Sequence, residues 1–389
     1  MSSDRPASSQ QSRTEQLQDE TPLHVLVYTD AAGIGGAEIS LGHLVATASD
    51  SIKITVVGVA QGVVDTIAHR RPQASRVVLP SKGAPAFIAH WLTFQRLQPD
   101  IIHCNLCTPW ACATGLTAAL TLPDVRVVRV DQLPLRTTDP IALWRTRALS
   151  LRVDAHVAVG EASARRMEDF YALGRDTVIS IPNGVPDLAG ELKPPAARPA
   201  GQMVVGSIGR LDAMKAHDIL LRAIAQVEGV KVTILGEGEQ RTALETLASE
   251  LGVSDRLSLP GWVDHPRSYL PEFDVLAMPS RSEGFPLAMV EAMLAARPIV
   301  ATRIGSMPEA VIPEKTGILV EKNDVAGLAN ALHLLRDNPR LRLQLGQQAR
   351  EMAVSRFTVD SMTKSYEQLW QNLLFTTQSP RFRVSRPKD

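Results

Sequence analysis

The chain predicts an α/β protein made of two successive parallel-sheet domains. Three observations carry that expectation. Short apolar runs alternate with helix-length segments from residue 23 onward, a Pro- and Ala-rich stretch at 187–201 divides the alternation in two, and everything after Asp324 reads as helix. With 389 residues, 44% of them hydrophobic, there is enough apolar material for two domain-sized cores.

The first run, LHVLVYTD at 23–30, is followed by GIGGAE and by apolar residues at helical spacing from Ala37 to Val45, the opening of a βα unit. Strand candidates follow at IKITVVG from 52, RVVLP from 76, DIIHC from 100, VRVVRV from 125, DAHVAVG from 154 and TVISIP from 177. Between them, PAFIAHWLTFQRL and ACATGLTAAL are long enough for helices. The second series begins with MVVGSIGR at 203 and passes through helix KAHDILLRAIAQV, strand KVTILG, helix RTALETLASEL and the short strand RLSLPGW. Strand DVLAMPS, helix PLAMVEAMLAA and strands PIVAT and GILVE complete it. Three apolar-striped segments, VAGLANALHLLRD, PRLRLQLGQQAREMAV and TVDSMTKSYEQLWQNLL, close the pattern. The implied boundaries are a disordered tail at 1–21, a first domain at 22–186, a linker at 187–201, a second domain at 202–357, a final helix at 358–375 and a basic tail at 376–389.

Charge balance narrows the partners. The 41 basic side chains cancel the 41 acidic ones, so the whole-chain field does not point to nucleic acid. Cys104, Cys107 and Cys112 are an odd number with no ligand-rich partner cluster elsewhere, so although Cys104 and Cys107 with His103 leave a metal site conceivable, they read as ordinary buried residues with reduced thiols, a cytoplasmic signature. The first twenty residues lack the apolar core of a signal peptide, and no apolar run reaches membrane-spanning length. The terminal Arg383, Arg386 and Lys388, preceded by Trp370, Leu373, Leu374 and Phe375, leave open a peripheral contact with the inner face of the cell membrane.

Two stretches suggest chemistry. In GRLDAMKAHDILLRA, Gly209 closes a strand, Arg210 projects from its carboxyl end and Lys215 stands just before a helix, a fork and a point charge suited to a diphosphate. In SRSEGFPLAMVEAMLAARPIVAT, Gly284 permits a sharp turn and Pro286 fits the first turn of a helix, so that amides around Gly284 to Leu287 face a crevice. Glu283 precedes that helix. Glu291 interrupts a nearly all-apolar surround, where a carboxylate needs donors such as sugar or ribose hydroxyls. Gly33, Gly35 and Gly36 at the first strand-to-helix junction would admit a ligand close to the backbone, but they match neither GxGxxG nor a Walker pattern.

With these residues the chain resembles the retaining glycosyltransferases of the family 4 group over residues 23 to 374. The most specific match is Glu283-Gly284-Phe285-Pro286-Leu287 with Glu291, and GRLDAMKAHD, ILGEGEQR, IPNGVP and GGAE support it. The resemblance implies the GT-B fold: two Rossmann-like domains face each other across a cleft, and the terminal helix near Tyr366 to Leu374 crosses back to brace the first. It implies a nucleotide-sugar donor, with Arg210 and Lys215 gripping the phosphates, Glu283 on the transferred sugar and Glu291 on the ribose. Gly261, Trp262 and Val263 would border the base. Gly236 and Gly238 would keep a loop close to the donor, with Phe285, Pro286 and Leu287 beside it, and Gly35 and Gly36 would approach from across the cleft. Many members carry a His just after the strand matching VRVVRV, facing the sugar. Here Asp131 stands there, followed by Gln132, and His103 is a second cleft candidate.

That resemblance further implies retention by a front-face route in which the leaving phosphate takes the acceptor proton, with no cofactor or metal required. The implied acceptor is a saccharide or lipid-linked saccharide in cell-surface polysaccharide assembly. Closure about Pro194 to Gly201 and the crossing helix would exclude water. An epimerase or phosphorylase of the same plan, a nicotinamide enzyme and a noncatalytic sugar-nucleotide binder stay open as alternatives.

Overall fold

The computed structural model describes residues 22–187 and 198–375. Most of the 187–201 linker, the N-terminal tail and the basic C-terminal tail lie outside the described residues. In the first half, strands and helices alternate as β1 (His24–Thr29), α1 (Gly36–Thr47), β2 (Lys53–Gly58), α2 (Gln61–His69), β3 (Ser75–Val78), α3 (Ala84–Leu97) and β4 (Ile101–Leu106). They continue as α4 (Ala113–Leu120), β5 (Arg126–Asp131), α5 (Pro140–Ser150), β6 (Ala155–Ala158), α6 (Glu161–Tyr171) and β7 (Val178–Ser180). The seven strands form one parallel sheet in the order β3-β2-β1-β4-β5-β6-β7.

Apolar residues fill both faces of each central strand, as a sheet covered by helices requires. In β1, Val25 and Val27 belong to the core shared with α1 and α2, while Leu26 and Tyr28 belong to the core shared with α3 and α4.

The second half repeats the plan with β8 (Met203–Ile208), α7 (His217–Ile224), β9 (Val230–Leu235), α8 (Arg241–Glu250), β10 (Leu257–Gly261), β11 (Val275–Met278) and α9 (Leu287–Leu294). After these come β12 (Ile299–Thr302), β13 (Gly317–Val320), α10 (Val325–Asp337), α11 (Pro339–Arg356) and α12 (Val359–Phe375). Its parallel sheet has the order β10-β9-β8-β11-β12-β13. Gly206 in β8 leaves room for the Phe273 ring, which a Cβ there would strike. Two Rossmann-like sheets thus face each other with their carboxyl edges, the GT-B arrangement.

The chain crosses between halves twice, and the crossings are stitched together. Val185 donates its amide to the Phe357 carbonyl at 3.1 Å, and Val359 donates back to the Val185 carbonyl at 3.0 Å. Gly184 is required there, because a Cβ would collide with the Thr358 carbonyl. Beyond this stitch α12 returns to the first half, burying Val359, Met362, Tyr366 and Trp370 in the core beside α1.

Candidate active site

The residues expected to grip a diphosphate, Arg210, Lys215 and Glu283, lie past the carboxyl ends of β8 and β11. The Asp212 carboxylate accepts from the Met214 and Lys215 amides, both at 3.0 Å, and folds 212–215 into a tight turn. Arg281 braces that turn from outside, donating to the Ala213 carbonyl and pairing with both Asp218 oxygens at 3.0 and 2.8 Å. Lys215 is thereby aimed at Glu283, its Nζ lying 2.6 Å from Oε1. Ser280 Oγ donates to the same oxygen at 2.8 Å. Glu283 is 8% exposed, so its charge is held by a cation and a hydroxyl in a largely dry position.

Arg210 stands apart: its guanidinium is 68% exposed and meets Asp212 at 3.0 Å. Gly236 and Gly238 pack their backbone against the Gly209 and Leu211 carbonyls, where any Cβ would collide. The loop after β9 therefore lies directly on the loop that carries Arg210. Pro286 is the cap residue of α9, one position earlier than its expected place in the first turn, and no side chain caps this helix. Its leading amides and dipole are therefore available to an anion.

Glu291 is not left to hydroxyls alone. Arg267 pairs with it at 3.1 Å and donates to the Pro186 carbonyl at 2.9 Å, tying α9 to the interdomain crossing. That partner sits in the 3₁₀ turn Pro266–Glu272, which carried no motif. Trp262 is 62% exposed, with Nε1 3.0 Å from Asp264, and Val263 packs inward beside the α9 core.

On the opposing edge, Gly35 caps α1 in extended conformation and Gly36 opens the helix. Nothing lies within 4 Å of a Cβ built at Gly33 or Gly36, so these glycines keep space open. Glu38, passed over in the sequence, reaches back to the Gly35 amide at 3.1 Å and to Thr29. Burial pushes its carboxyl above the usual range.

Two expected cleft residues are corrected. Asp131 is fully buried: Arg129 donates to its two oxygens at 2.7 and 3.0 Å, and His156 Nε2 donates at 2.6 Å. Burial opposes its charge, but Arg129 and His156 outweigh that and hold its pKa at about 2. The carboxylate is consumed inside the sheet and is not presented to a substrate. His103 lies mid-strand in β4, not at its end, with its ring against Tyr366 and Trp370 of α12. Burial alone lowers its pKa to about 3, so it is a neutral core residue.

What meets the Glu283–Pro286 turn from the first half is a chain of amides. Gln132 donates to Asn105 at 2.9 Å, and Asn183 donates to Gln132 at 3.0 Å and to the Phe285 carbonyl at 3.0 Å. Ser40 of α1 donates to Asn183 at 2.7 Å. Gly284 is pressed on the Gln132 carbonyl, so the EGFP turn is seated directly on the first half. A second seat lies at the start of α6. Glu309 accepts from the Glu161 and Ala162 amides at 3.0 and 2.8 Å, and Ser306 Oγ accepts from the Ser163 amide at 3.0 Å. One half therefore supplies the cap of a helix in the other.

Residues 34–187 match the family Glycosyltransferase Family 4, and residues 190–352 match Glycosyl transferases group 1. The chain is 32% identical to the lipopolysaccharide core biosynthesis glycosyltransferase LpsD of Rhizobium meliloti, over 60% of this chain and 75% of LpsD. It is 33% identical to LpsE of the same organism over 44% of this chain, a match that spans half of LpsE. Its fold superposes on Alr3699/HepE from Anabaena, solved in complex with UDP, with a TM-score of 0.79 at 21% identity, covering 90% of this chain and 100% of that one.

Proposed function

We infer, from the premise that this chain belongs to the group 1 glycosyltransferases with a Family 4 first half, that it moves a sugar from a UDP- or GDP-sugar to a saccharide or lipid-linked acceptor. The observation that carries this reading is the Lys215–Glu283 contact of 2.6 Å beside the uncapped start of α9. It brings together a cation, a carboxylate and free helix amides, the groups that would bind a sugar diphosphate. Arg210 and Lys215 with the α9 amides would hold the diphosphate and stabilise the charge that develops on it as the anomeric C–O bond breaks. Glu283 would accept from sugar hydroxyls, and Glu291 would exchange Arg267 for the ribose.

Asp131 is left out of this scheme, because it is buried and both its oxygens are held by Arg129 and His156. Reaction on the same face of the sugar would leave the departing diphosphate oxygen to accept the acceptor proton as the new C–O bond forms, with retention at the anomeric carbon. The UDP held by the structural relative supports a uridine base, and the names of LpsD and LpsE support a cell-surface polysaccharide setting.

Calorimetric titration against UDP-, GDP- and ADP-sugars tests the donor, with Arg210→Ala and Lys215→Ala alongside. Saturable binding of one donor, weakened in both variants, is the expected result. Absence of binding by any of them would overturn the reading. The anomeric coupling of the product, read by proton NMR, decides retention, and a sugar phosphate formed without an acceptor would instead mark a phosphorylase.

A further inference from the structure

Helix α5 is apolar on two sides. Its inward side carries Leu143 against the small core of α6 and Leu149 against the core shared with α3 and α4, together with buried Thr146 and Ser150, whose Oγ donates back to the Thr146 carbonyl at 2.8 Å. Its outward side carries Ile141 at 77% exposure and Trp144 at 71%, with Leu151 at 58% just past its end. Positions 141, 144, 148 and 151 recur at helical spacing, so the large apolar residues form one stripe pointing away from the protein. Large apolar side chains gathered into one exposed stripe mark a contact surface rather than an ordinary solvated face.

The charges around that stripe have one sign. Arg145 and Arg152 flank one side, Arg147 the other, and Arg136 precedes the helix. All four are exposed, and none is ion-paired among the described residues. Between 136 and 152 the single acid, Asp139, is committed to capping α5 through the Ala142 amide at 2.7 Å. A local excess of cations in a chain that balances 41 against 41 calls for an anionic partner, and the apolar stripe calls for one with an acyl interior.

We propose that α5 lies flat on an anionic phospholipid surface, with Ile141, Trp144 and Leu151 entering the headgroup boundary and the arginines meeting lipid phosphates. Among the described residues no helix is long and apolar enough to cross a membrane, so this is a surface contact. The chain leaves β5 through Gln132, which touches the EGFP turn, and enters α5 at Pro140, so the helix starts from the carboxyl edge of the sheet that opens onto the cleft. A membrane docked there would deliver a lipid-borne acceptor to the cleft mouth. The docking itself is independent of the donor assignment.

Co-sedimentation of the full chain with vesicles of phosphatidylcholine alone, or phosphatidylcholine with phosphatidylglycerol, tests the proposal. Wild-type protein is expected on the anionic vesicles only, with binding weakened by salt. Replacing Arg145, Arg147 and Arg152 together by Ala should lower the partition coefficient about a hundredfold, roughly fivefold per arginine. Ile141→Glu with Trp144→Glu should abolish binding, while melting temperature and donor titration stay at wild-type values because both side chains are exposed. No binding to anionic vesicles, or equal binding by wild type and variants, overturns the proposal. Self-association lost in the Ile141→Glu, Trp144→Glu variant, with no vesicle binding, would overturn it in favour of a contact between copies.

Discussion

Replacing Glu309 by Ala removes the carboxylate that one half lends to the α6 N-terminus of the other. Two amide contacts are lost, at 3.0 Å to Glu161 and 2.8 Å to Ala162, while Ser306 keeps its hold on the Ser163 amide at 3.0 Å. Losing a helix cap costs about 1 kcal/mol and up to about 2, and the lost charge at the helix dipole adds about 0.3–1. Water replaces part of this at the exposed Glu161 amide, so we take about 1–2 kcal/mol for the whole change. That corresponds to a roughly 5- to 30-fold shift in the ratio of closed to open arrangements.

Residue-resolved hydrogen exchange reads this directly at Ser163, which is buried and whose own partner is unchanged. Its amide should exchange roughly 5- to 30-fold faster in Glu309→Ala, because exchange requires the halves to part. Faster exchange at Glu161 and Ala162 with an unchanged Ser163 would refute the reasoning and reduce Glu309 to a local contact.

Asp131→Asn should destabilise the chain by about 3–5 kcal/mol in urea titration, because the buried Arg129 is left without its counter-charge. Acid should destabilise the fold well before its carboxylates titrate. Burial lowers His43 and His217 to about 4 and His103 to about 3, so the unfolded chain binds more protons from about pH 6.5 downward and stability falls with pH across that window. His103→Leu should flatten this slope in melting curves recorded between pH 7 and about pH 4. Gly284→Ala should cost about 1–3 kcal/mol through its clash with the Gln132 carbonyl and should weaken donor binding, as read by calorimetry.

Much of this molecule is visible in the order of its residues. Runs such as LHVLVYT and KVTILG carry apolar residues on both faces because helices cover both faces of each sheet, and that local pattern suffices to place strands in chain order. The Lys215 and Glu283 stretches were likewise legible, since each sits at a strand end that any parallel βα unit presents on one edge. Partnerships between distant residues were not. Arg267 reaches Glu291 from a 3₁₀ turn with no pattern of its own, and Glu309 meets α6 only because 148 residues of chain fold back between them. Asp131 shows the limit most clearly: its position at the end of β5 promised a residue facing the cleft, yet Arg129 two positions earlier and His156 on the neighbouring strand turn it inward. Periodicity is a property of neighbouring residues, so sequence alone determined elements and strand edges. Which charges cancel depends on groups brought together by strand order and domain closure, and only the tertiary structure decided that.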